Sequence, residues 1–92
     1  MRVAILGCGS IAGIYVRNLL ERFSDRITIT GVCARHPARA RAFAAQFGGL
    51  PVYSNLSALL SDPTVDTVLN LTPPAAHYET TLRALEAGKH VY

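Results

Sequence analysis

Residues 3–12 read Val3-Ala4-Ile5-Leu6-Gly7-Cys8-Gly9-Ser10-Ile11-Ala12, and this stretch decides the fold of the 92-residue chain. Four apolar residues lead into a Gly-x-Gly-x-x-Ala turn, and a helical apolar pattern begins directly after it. This order of strand, tight turn and helix is the one that a dinucleotide pyrophosphate site requires. Gly7 allows the chain to reverse sharply, and the missing Cβ of Gly9 lets a pyrophosphate approach the backbone.

The helix after this turn is predicted to begin at Ser10, which can cap it. The backbone N–H groups of its first turn, at Ser10, Ile11 and Ala12, are free to face phosphates, where the helix dipole favours negative charge. Ala12 is also small enough for the helix to pack closely on the strand. The alternative is a glycine-rich turn that holds no ligand.

The composition is that of one globular domain, since half of the residues are apolar and 16% are charged. The apolar start is too short for a signal peptide or a membrane span. Cys8 and Cys33 lack metal-type spacing, so we predict no metal site and two reduced cysteines. These features favour a cytoplasmic protein.

The formal net charge is +3, and its distribution is uneven. No acidic residue occurs between Asp25 and Asp62, and this interval contains Arg26, Arg35, Arg39 and Arg41. Such a patch favours an anionic partner. Nucleic acid is one candidate, but no recognition motif accompanies the arginines, so we do not expect it. A phosphate on a nucleotide fits better.

The rest of the chain alternates predicted strands and helices. Strands are predicted at residues 2–6, 27–34, 51–53, 65–71 and from residue 90 onward. Helices are predicted at residues 10–23, at 37–47, briefly after Asn55, and from Pro74 to a stop at Gly88. The alternation predicts an α/β fold, a Rossmann-type doubly wound parallel sheet of strand order 3-2-1-4-5 that is truncated at the fifth strand. Its ligand would lie beyond the carboxyl ends of strands one and four.

The apolar spacing also predicts which side chains face the core. The predicted set is Ile11, Ile14, Tyr15, Leu19 and Phe23 in the first helix, Ala40, Phe43, Ala44 and Phe47 in the second, Leu56, Leu59 and Leu60 in the third, and Tyr78, Leu82 and Leu85 in the last.

The end of the second predicted strand indicates which dinucleotide is bound. An NAD site usually has an acid there, bonded to the adenosine ribose. Here Ala34 stands in that place and Arg35 follows, with Arg39 one helical turn later. A guanidinium would bind the 2′-phosphate of NADP, whereas a carboxylate would repel it. We therefore predict NADP, with NAD as the alternative; the arginines could also be a solvated helix face.

The end of the fourth predicted strand adds the remaining candidates. Leu71, Thr72 and Pro73 would lie beside the pyrophosphate turn and the nicotinamide half. His77, in the first turn of the last helix, is close enough to reach the cofactor, although it could equally be a half-exposed helix residue. Lys89 precedes the fifth strand and so belongs to the opposite edge of the sheet, where a structural role is expected.

Together these residues closely resemble the amino-terminal domain of the glucose–fructose oxidoreductase, inositol dehydrogenase and MocA family. The resemblance covers essentially the whole chain. It is carried by residues 7–12, by Ala34-Arg35, by 39–48, by Leu59-Leu60-Ser61-Asp62-Pro63, by Asp66, by Thr72-Pro73-Pro74 and His77, and by 84–91.

The resemblance implies the cofactor domain of an oxidoreductase that transfers hydride between NADP(H) and a hydroxyl or carbonyl carbon of a sugar, cyclitol or related molecule. In that family the fifth strand continues into Glu-Lys-Pro with a catalytic lysine, and a carboxyl-terminal domain supplies the substrate pocket and the usual oligomer interface. We therefore expect residues 1–92 to be one dinucleotide-binding domain without the substrate domain and without catalytic residues.

The expected partner is the dinucleotide, and a second copy of the chain is a further candidate. A small-molecule substrate is expected only with the missing domain, and neither nucleic acid nor a membrane is expected. The fragment should bind cofactor without turning substrate over. The alternative is a non-catalytic nucleotide-binding or regulatory module.

Overall fold

A computed structural model describes the backbone of residues 1–92 and every side chain except that of Ser10. The chain alternates strands and helices, which are in order β1 (Arg2–Leu6), α1 (Ser10–Arg22), β2 (Thr28–Cys33), α2 (Pro37–Ala45), α3 (Leu56–Ser61), β3 (Thr67–Asn70), α4 (Pro74–Glu86) and β4 (His90–Val91). Gly88, with a φ of 80°, follows α4 as the predicted stop. None of these helices has the length and apolarity that crossing a membrane requires.

The sheet has four parallel strands in the order β2-β1-β3-β4. This is the predicted order, with β3 and β4 as the predicted fourth and fifth strands. The third predicted strand, at residues 51–53, is reduced to a single parallel bridge between Val52 and Val32. Its segment lies between the turn at Gly48-Gly49 and the start of α3, and Pro51 has no N–H to add to a ladder.

Helices cover both faces of the sheet, as in a doubly wound fold. On one face α1 and α2 pack over a buried cluster of Val3, Ile5, Ala12, Val16, Val32, Ala40, Phe43 and Ala44. On the other face α3 and α4 pack over Ala4, Leu6, Cys33, Leu59, Val65, Val68 and Ala84. Because β1 is buried on both faces, its sequence is a continuous apolar run.

The predicted inward face of α1 is confirmed at Ala12 and Leu19 and is wrong at four other residues. The residues against the sheet are Ala12 and Val16, which are 1% and 0% exposed, with Leu19 partly buried beside them. The predicted core residues Ile11, Ile14, Tyr15 and Phe23 are instead 62%, 59%, 48% and 42% exposed. A small residue at 12 brings the helix axis close to the sheet, and the larger side chains are turned outward.

The predicted face of α4 is wrong for the same reason. Ala84 is fully buried against the sheet, while Tyr78, Leu82 and Leu85 are exposed. The predicted inward residues of the other two helices are confirmed as buried or partly buried, and they are Ala40, Phe43, Ala44, Phe47, Leu56, Leu59 and Leu60.

The start of α1 also differs from the prediction. Ser10 is the first helical residue, so the capping position belongs to Gly9, whose carbonyl accepts from the backbone N–H of Ala12 at 3.0 Å. The predicted cap by the Ser10 side chain lies outside the described part of the chain. In α3 a side chain does cap the helix, since Asn55 Oδ1 accepts from the backbone N–H of Ala58 at 2.8 Å.

Lys89 lies at the amino end of the sheet, as predicted. Its Nζ donates to the backbone carbonyls of Asp62 and Val65, each at 2.8 Å. The ammonium therefore ties the loop after α3 to the start of β4, in a structural role far from the carboxyl edge where a ligand would bind.

A polar network at this amino edge lowers the pKa of Asp62 to about 2. The largest cause is the Tyr53 hydroxyl, which donates to Asp62 Oδ2 at 2.6 Å, followed by the hydroxyl and backbone N–H of Thr64. Hydrogen bonds to the ionised carboxylate favour its charged form.

We expect Tyr53→Phe to raise the pKa of Asp62 toward the ordinary value of 3.8, read by NMR titration of its carboxyl. Because the folded pKa is lowered, the stabilisation by this carboxylate is present above the ordinary value and lost as the pH falls toward about 2. The variant should therefore lose less stability than the wild type across that acid range. Tyr15→Phe, at an exposed tyrosine, is the control and should leave the Asp62 titration unchanged.

The side chain of Tyr53 also packs so closely on Gly31 that it leaves no room for a Cβ there. A Cβ on Gly31 would lie 2.8 Å from Tyr53 Cε2 and 3.0 Å from the carbonyl oxygen of Pro51. The ring is held in place because its hydroxyl bonds Thr30 Oγ1 at 3.0 Å as well as Asp62. Gly31→Ala should therefore destabilise the domain by about 1–3 kcal/mol in chemical denaturation.

Gly13→Ala is the matched control for that substitution. Gly13 lies inside α1 and a Cβ there meets nothing within 4 Å, so alanine should be neutral or stabilising by up to about 1 kcal/mol. Equal stability of the Gly31→Ala variant and the wild type would contradict the steric argument.

Candidate nucleotide-binding site

Three loops meet at the carboxyl edge of the sheet. Every predicted site residue lies either in one of these loops or in the first helical turn that follows it. The loops follow β1, β2 and β3. The first two adjoin because the backbone N–H of Gly7 donates to the carbonyl of Cys33 at 2.8 Å. The first and third adjoin because the N–H of Leu71 donates to the carbonyl of Leu6 at 2.7 Å. The candidates are Gly7, Gly9, Ser10, Ile11, Ala12, Ala34, Arg35, Arg39, Leu71, Thr72, Pro73 and His77.

Gly7 performs the sharp reversal that the sequence predicts, with a φ of 100°. The structure adds a second requirement. A Cβ at Gly7 would lie 2.7 Å from both the carbonyl carbon and oxygen of Leu71 and 3.0 Å from the nitrogen of Thr72. The turn after β1 and the loop after β3 are therefore in backbone contact, and only glycine permits it.

Gly9 has open space where its Cβ would be, with no atom within 4 Å. It is the capping residue of α1, a helix of 13 residues, and its backbone is extended. Space at this point, beside the amino end of a helix, is where a diphosphate could contact the backbone. Ala12 is buried beneath the turn and Ile11 is exposed at its outer side. The chain therefore fits the group that the motif predicts.

The second loop carries the predicted phosphate-binding arginines. Ala34 is partly buried against the core, and Arg35 and Arg39 are exposed. Arg39 is in the first turn of α2, where its backbone N–H donates to the carbonyl of His36 at 2.9 Å. Both guanidinium groups thus belong to the segment that follows β2 at the site edge, and no carboxylate occupies the place of the usual acid.

The third loop borders an open cavity of about 460 Å³ at the start of α4, lined by Thr72, Pro74, His77, Tyr78 and Thr81. Thr72 is partly buried, whereas His77 is exposed. Leu71 packs against the core, and Pro73 is the capping residue of α4. Of the predicted residues in this loop, Thr72 and His77 line the cavity.

The sequence places Asn70 at the end of this strand, beside the candidate site, but sequence reasoning gave it no role there. It is the last residue of β3, is only 4% exposed, and its side chain connects the third loop to α4. A polar amide inside an apolar strand is a signal that could have been used, because a buried amide must find partners nearby.

The two cysteines border the same turn. Burial raises the pKa of both thiols, and the nearby Cys33 raises that of Cys8 further. A raised pKa reduces the thiolate fraction, and it is the thiolate that acts as a nucleophile.

The parallel doubly wound sheet and its glycine turn define a Rossmann-type nucleotide-binding domain. Comparison with known proteins gives the family. All of residues 1–92 match the family model of the glucose–fructose oxidoreductase, inositol dehydrogenase and MocA group, described as an oxidoreductase family with an NAD-binding Rossmann fold. The chain belongs to this family, and the predicted resemblance is confirmed.

The chain spans about a quarter of the length of its curated relatives. It is 35% identical over 91 residues to the D-glucoside 3-dehydrogenase of Escherichia coli. This alignment covers 99% of this chain and 26% of that protein. A crystal structure of a 3-ketoreductase from Actinomadura kijaniata with TDP-benzene and NADP is 37% identical, with a TM-score of 0.84, over 99% of this chain and 28% of the other.

A further solved structure contains the other dinucleotide. GenD2 from gentamicin A biosynthesis, in complex with NAD, has a TM-score of 0.88 at 28% identity over 99% of this chain and 25% of its own. Relatives of this domain therefore bind NAD or NADP, and the family alone does not select between the two.

Proposed function

We propose that this chain is the cofactor domain of an NADP-dependent oxidoreductase acting on a sugar, cyclitol or related hydroxyl compound. The family supports an NAD(P)-binding domain, and relatives named as a D-glucoside 3-dehydrogenase and a 3-ketoreductase support a sugar-like substrate. Residues 1–92 would form one dinucleotide-binding domain, and the substrate would be bound together with a further domain.

The observation that carries cofactor binding is the open space at Gly9. A backbone without a Cβ at the amino end of α1 leaves room for a diphosphate, to which N–H groups of the first turn can donate. Ser10 and Ile11 would supply those groups in the first turn, whereas the N–H of Ala12 already donates to the carbonyl of Gly9 at 3.0 Å, so Ala12 contributes its small side chain instead. A dinucleotide held there supplies the hydride chemistry, and the protein binds and orients it.

The preference for NADP is carried by the segment after β2. Ala34 offers no carboxylate to a ribose hydroxyl, and Arg35 and Arg39 are two exposed cations in the same segment. A charge-assisted hydrogen bond to a phosphate contributes about 1.5–3 kcal/mol. One such bond to the 2′-phosphate gives a preference of about ten- to a hundredfold over NAD.

Arg35→Ala should therefore reduce NADPH affinity by about ten- to a hundredfold while changing NADH affinity little, in fluorescence titrations of both reduced dinucleotides. Arg39→Ala should show the same selectivity with a smaller loss. Arg22→Ala removes an exposed arginine from the other end of α1 and should change neither affinity. NADH binding as tight as NADPH binding in the wild type would overturn the NADP assignment.

A further inference from the structure

The side chain of Asn70 is the centre of a hydrogen-bond network beneath the third loop. Its Oδ1 accepts from the backbone N–H of Thr72 at 3.2 Å and from Thr72 Oγ1 at 2.6 Å. Its Nδ2 lies 2.8 Å from the hydroxyls of Thr80 and Thr81 and 3.2 Å from the carbonyl of His77. The amide therefore joins the end of β3 to the first two turns of α4.

The orientation of this amide is fixed by its backbone partners. The N–H of Thr72 can only donate, and the carbonyl of His77 can only accept. A reversed amide would place an NH₂ group against an N–H and an oxygen against a carbonyl, so the Asn70 oxygen must face Thr72. The Thr72 hydroxyl, 2.6 Å from that oxygen, must then be the donor of their hydrogen bond.

This bond uses the only proton that the Thr72 hydroxyl has. Thr80 Oγ1 lies 3.3 Å from Thr72 Oγ1, but it donates its own proton to the carbonyl of Ala76 at 2.9 Å. The Thr72 oxygen therefore keeps its lone pairs for other partners and has no proton for them. Since Thr72 lines the open cavity at the start of α4, a group in that cavity that bonds the Thr72 hydroxyl must be the donor.

We propose that Thr72 is a specificity-determining residue that accepts a hydrogen bond from an O–H or N–H group of the nicotinamide half, and that it does not donate to a phosphate. Asn70 is the positioning residue that fixes this polarity. The inference rests on the proposed function, because it assigns one group of the bound dinucleotide to one side chain. Two groups of the nicotinamide half have the required chemistry, the ribose hydroxyls and the carboxamide NH₂.

Thr72→Val tests the assignment, because valine keeps the shape and removes the hydroxyl. In calorimetric titrations, NADP⁺ should bind about two- to tenfold more weakly to the variant, the effect of one neutral hydrogen bond. Thr72→Ser, which keeps the hydroxyl, should restore the affinity. Thr28→Val is the matched control, since Thr28 is exposed at the amino end of β2.

Analogues identify the donor. The valine penalty should vanish with NADP⁺ whose nicotinamide ribose lacks the 2′- or the 3′-hydroxyl if that hydroxyl is the donor. If the carboxamide NH₂ is the donor, the penalty should instead vanish with the 3-acetylpyridine analogue, which has no NH₂ group. The valine penalty should also be absent with 2′-phospho-ADP, which has the 2′-phosphate and the diphosphate but no nicotinamide half. A penalty of equal size with every ligand, or one that appears with 2′-phospho-ADP, would overturn the proposal.

Asn70→Ala tests the positioning role separately from stability. Without the amide oxygen the Thr72 hydroxyl can turn its proton outward, so the variant should discriminate less between NADP⁺ and the analogue that lacks the donor. If Asn70 had only a structural role, the variant would bind both ligands more weakly by the same factor. That result would contradict the positioning role. If the wild type binds neither NADP⁺ nor NADPH, the proposed function itself fails, whereas normal wild-type binding with an unselective valine penalty contradicts this inference alone.

Discussion

Gly7→Ala should strongly destabilise this domain, by about 2–5 kcal/mol in chemical denaturation. The added Cβ would lie 2.7 Å from the carbonyl carbon and oxygen of Leu71, atoms that cannot rotate away as a side chain can. The backbone at Gly7 also has a φ of 100°, which costs alanine about 1–2 kcal/mol. Since small domains are stable by only about 5–15 kcal/mol, this loss is a large share of the total, and the variant should unfold at a much lower denaturant concentration than the wild type.

Gly48→Ala separates the two causes. Gly48 has a φ of 80°, but a Cβ there meets nothing within 4 Å. It should therefore lose only the backbone contribution of about 1–2 kcal/mol. If Gly7→Ala and Gly48→Ala lose the same amount, the contact between the turn after β1 and the loop after β3 contributes nothing to stability.

The order of elements could be predicted from the sequence because its signals are local. The glycine turn after an apolar run predicted β1 and α1, and the prolines at 37 and 74 predicted the starts of α2 and α4. A strand was predicted at residues 51–53, where the structure has a single bridge at Val52, because an apolar residue between turn signals is typical of a short strand. How far a ladder extends depends on its neighbour in the sheet, which no local pattern contains.

The orientation of α1 and α4 could not be predicted from the largest side chains. Both helices have apolar residues on more than one face, so periodicity allows several rotations. The structure selects the face with Ala12 and Val16 in α1 and with Ala84 in α4, because a small residue allows close approach to the sheet. The signal was present in the Gly-x-Gly-x-x-Ala motif, whose alanine fixes the rotation of α1.

The position of the candidate site follows from topology, whereas its construction does not. A parallel sheet brings the loops after β1, β2 and β3 to one edge, so Gly9, Arg35 and Thr72 share it. The backbone contact between Gly7 and Leu71 and the network around Asn70 join segments that are distant in sequence. Pairings of this kind depend on the register of β1 against β3, which the sequence pattern does not specify.

Gly9→Ala should abolish or strongly weaken dinucleotide binding while leaving the fold intact. The backbone of Gly9 has a φ of −74° and a ψ of −178°, which alanine adopts without strain, and its Cβ would meet no protein atom within 4 Å. The loss of a glycine cap and the gain from a less flexible unfolded chain are each about 1 kcal/mol or less and opposite in sign. Unfolding should therefore occur at nearly the wild-type denaturant concentration.

The same methyl group would occupy the space through which a diphosphate reaches the first turn of α1. Losing one charge-assisted hydrogen bond from that turn weakens binding by about ten- to a hundredfold, and displacing the whole diphosphate weakens it further. Gly13→Ala, one turn later in α1 and also in open space, should bind NADPH as the wild type does. Comparing the two variants separates the effect of a methyl group at the diphosphate position from the effect of an added methyl group on α1 itself. A Gly9→Ala variant that binds NADPH normally would mean that the open space beside α1 is not where the diphosphate lies.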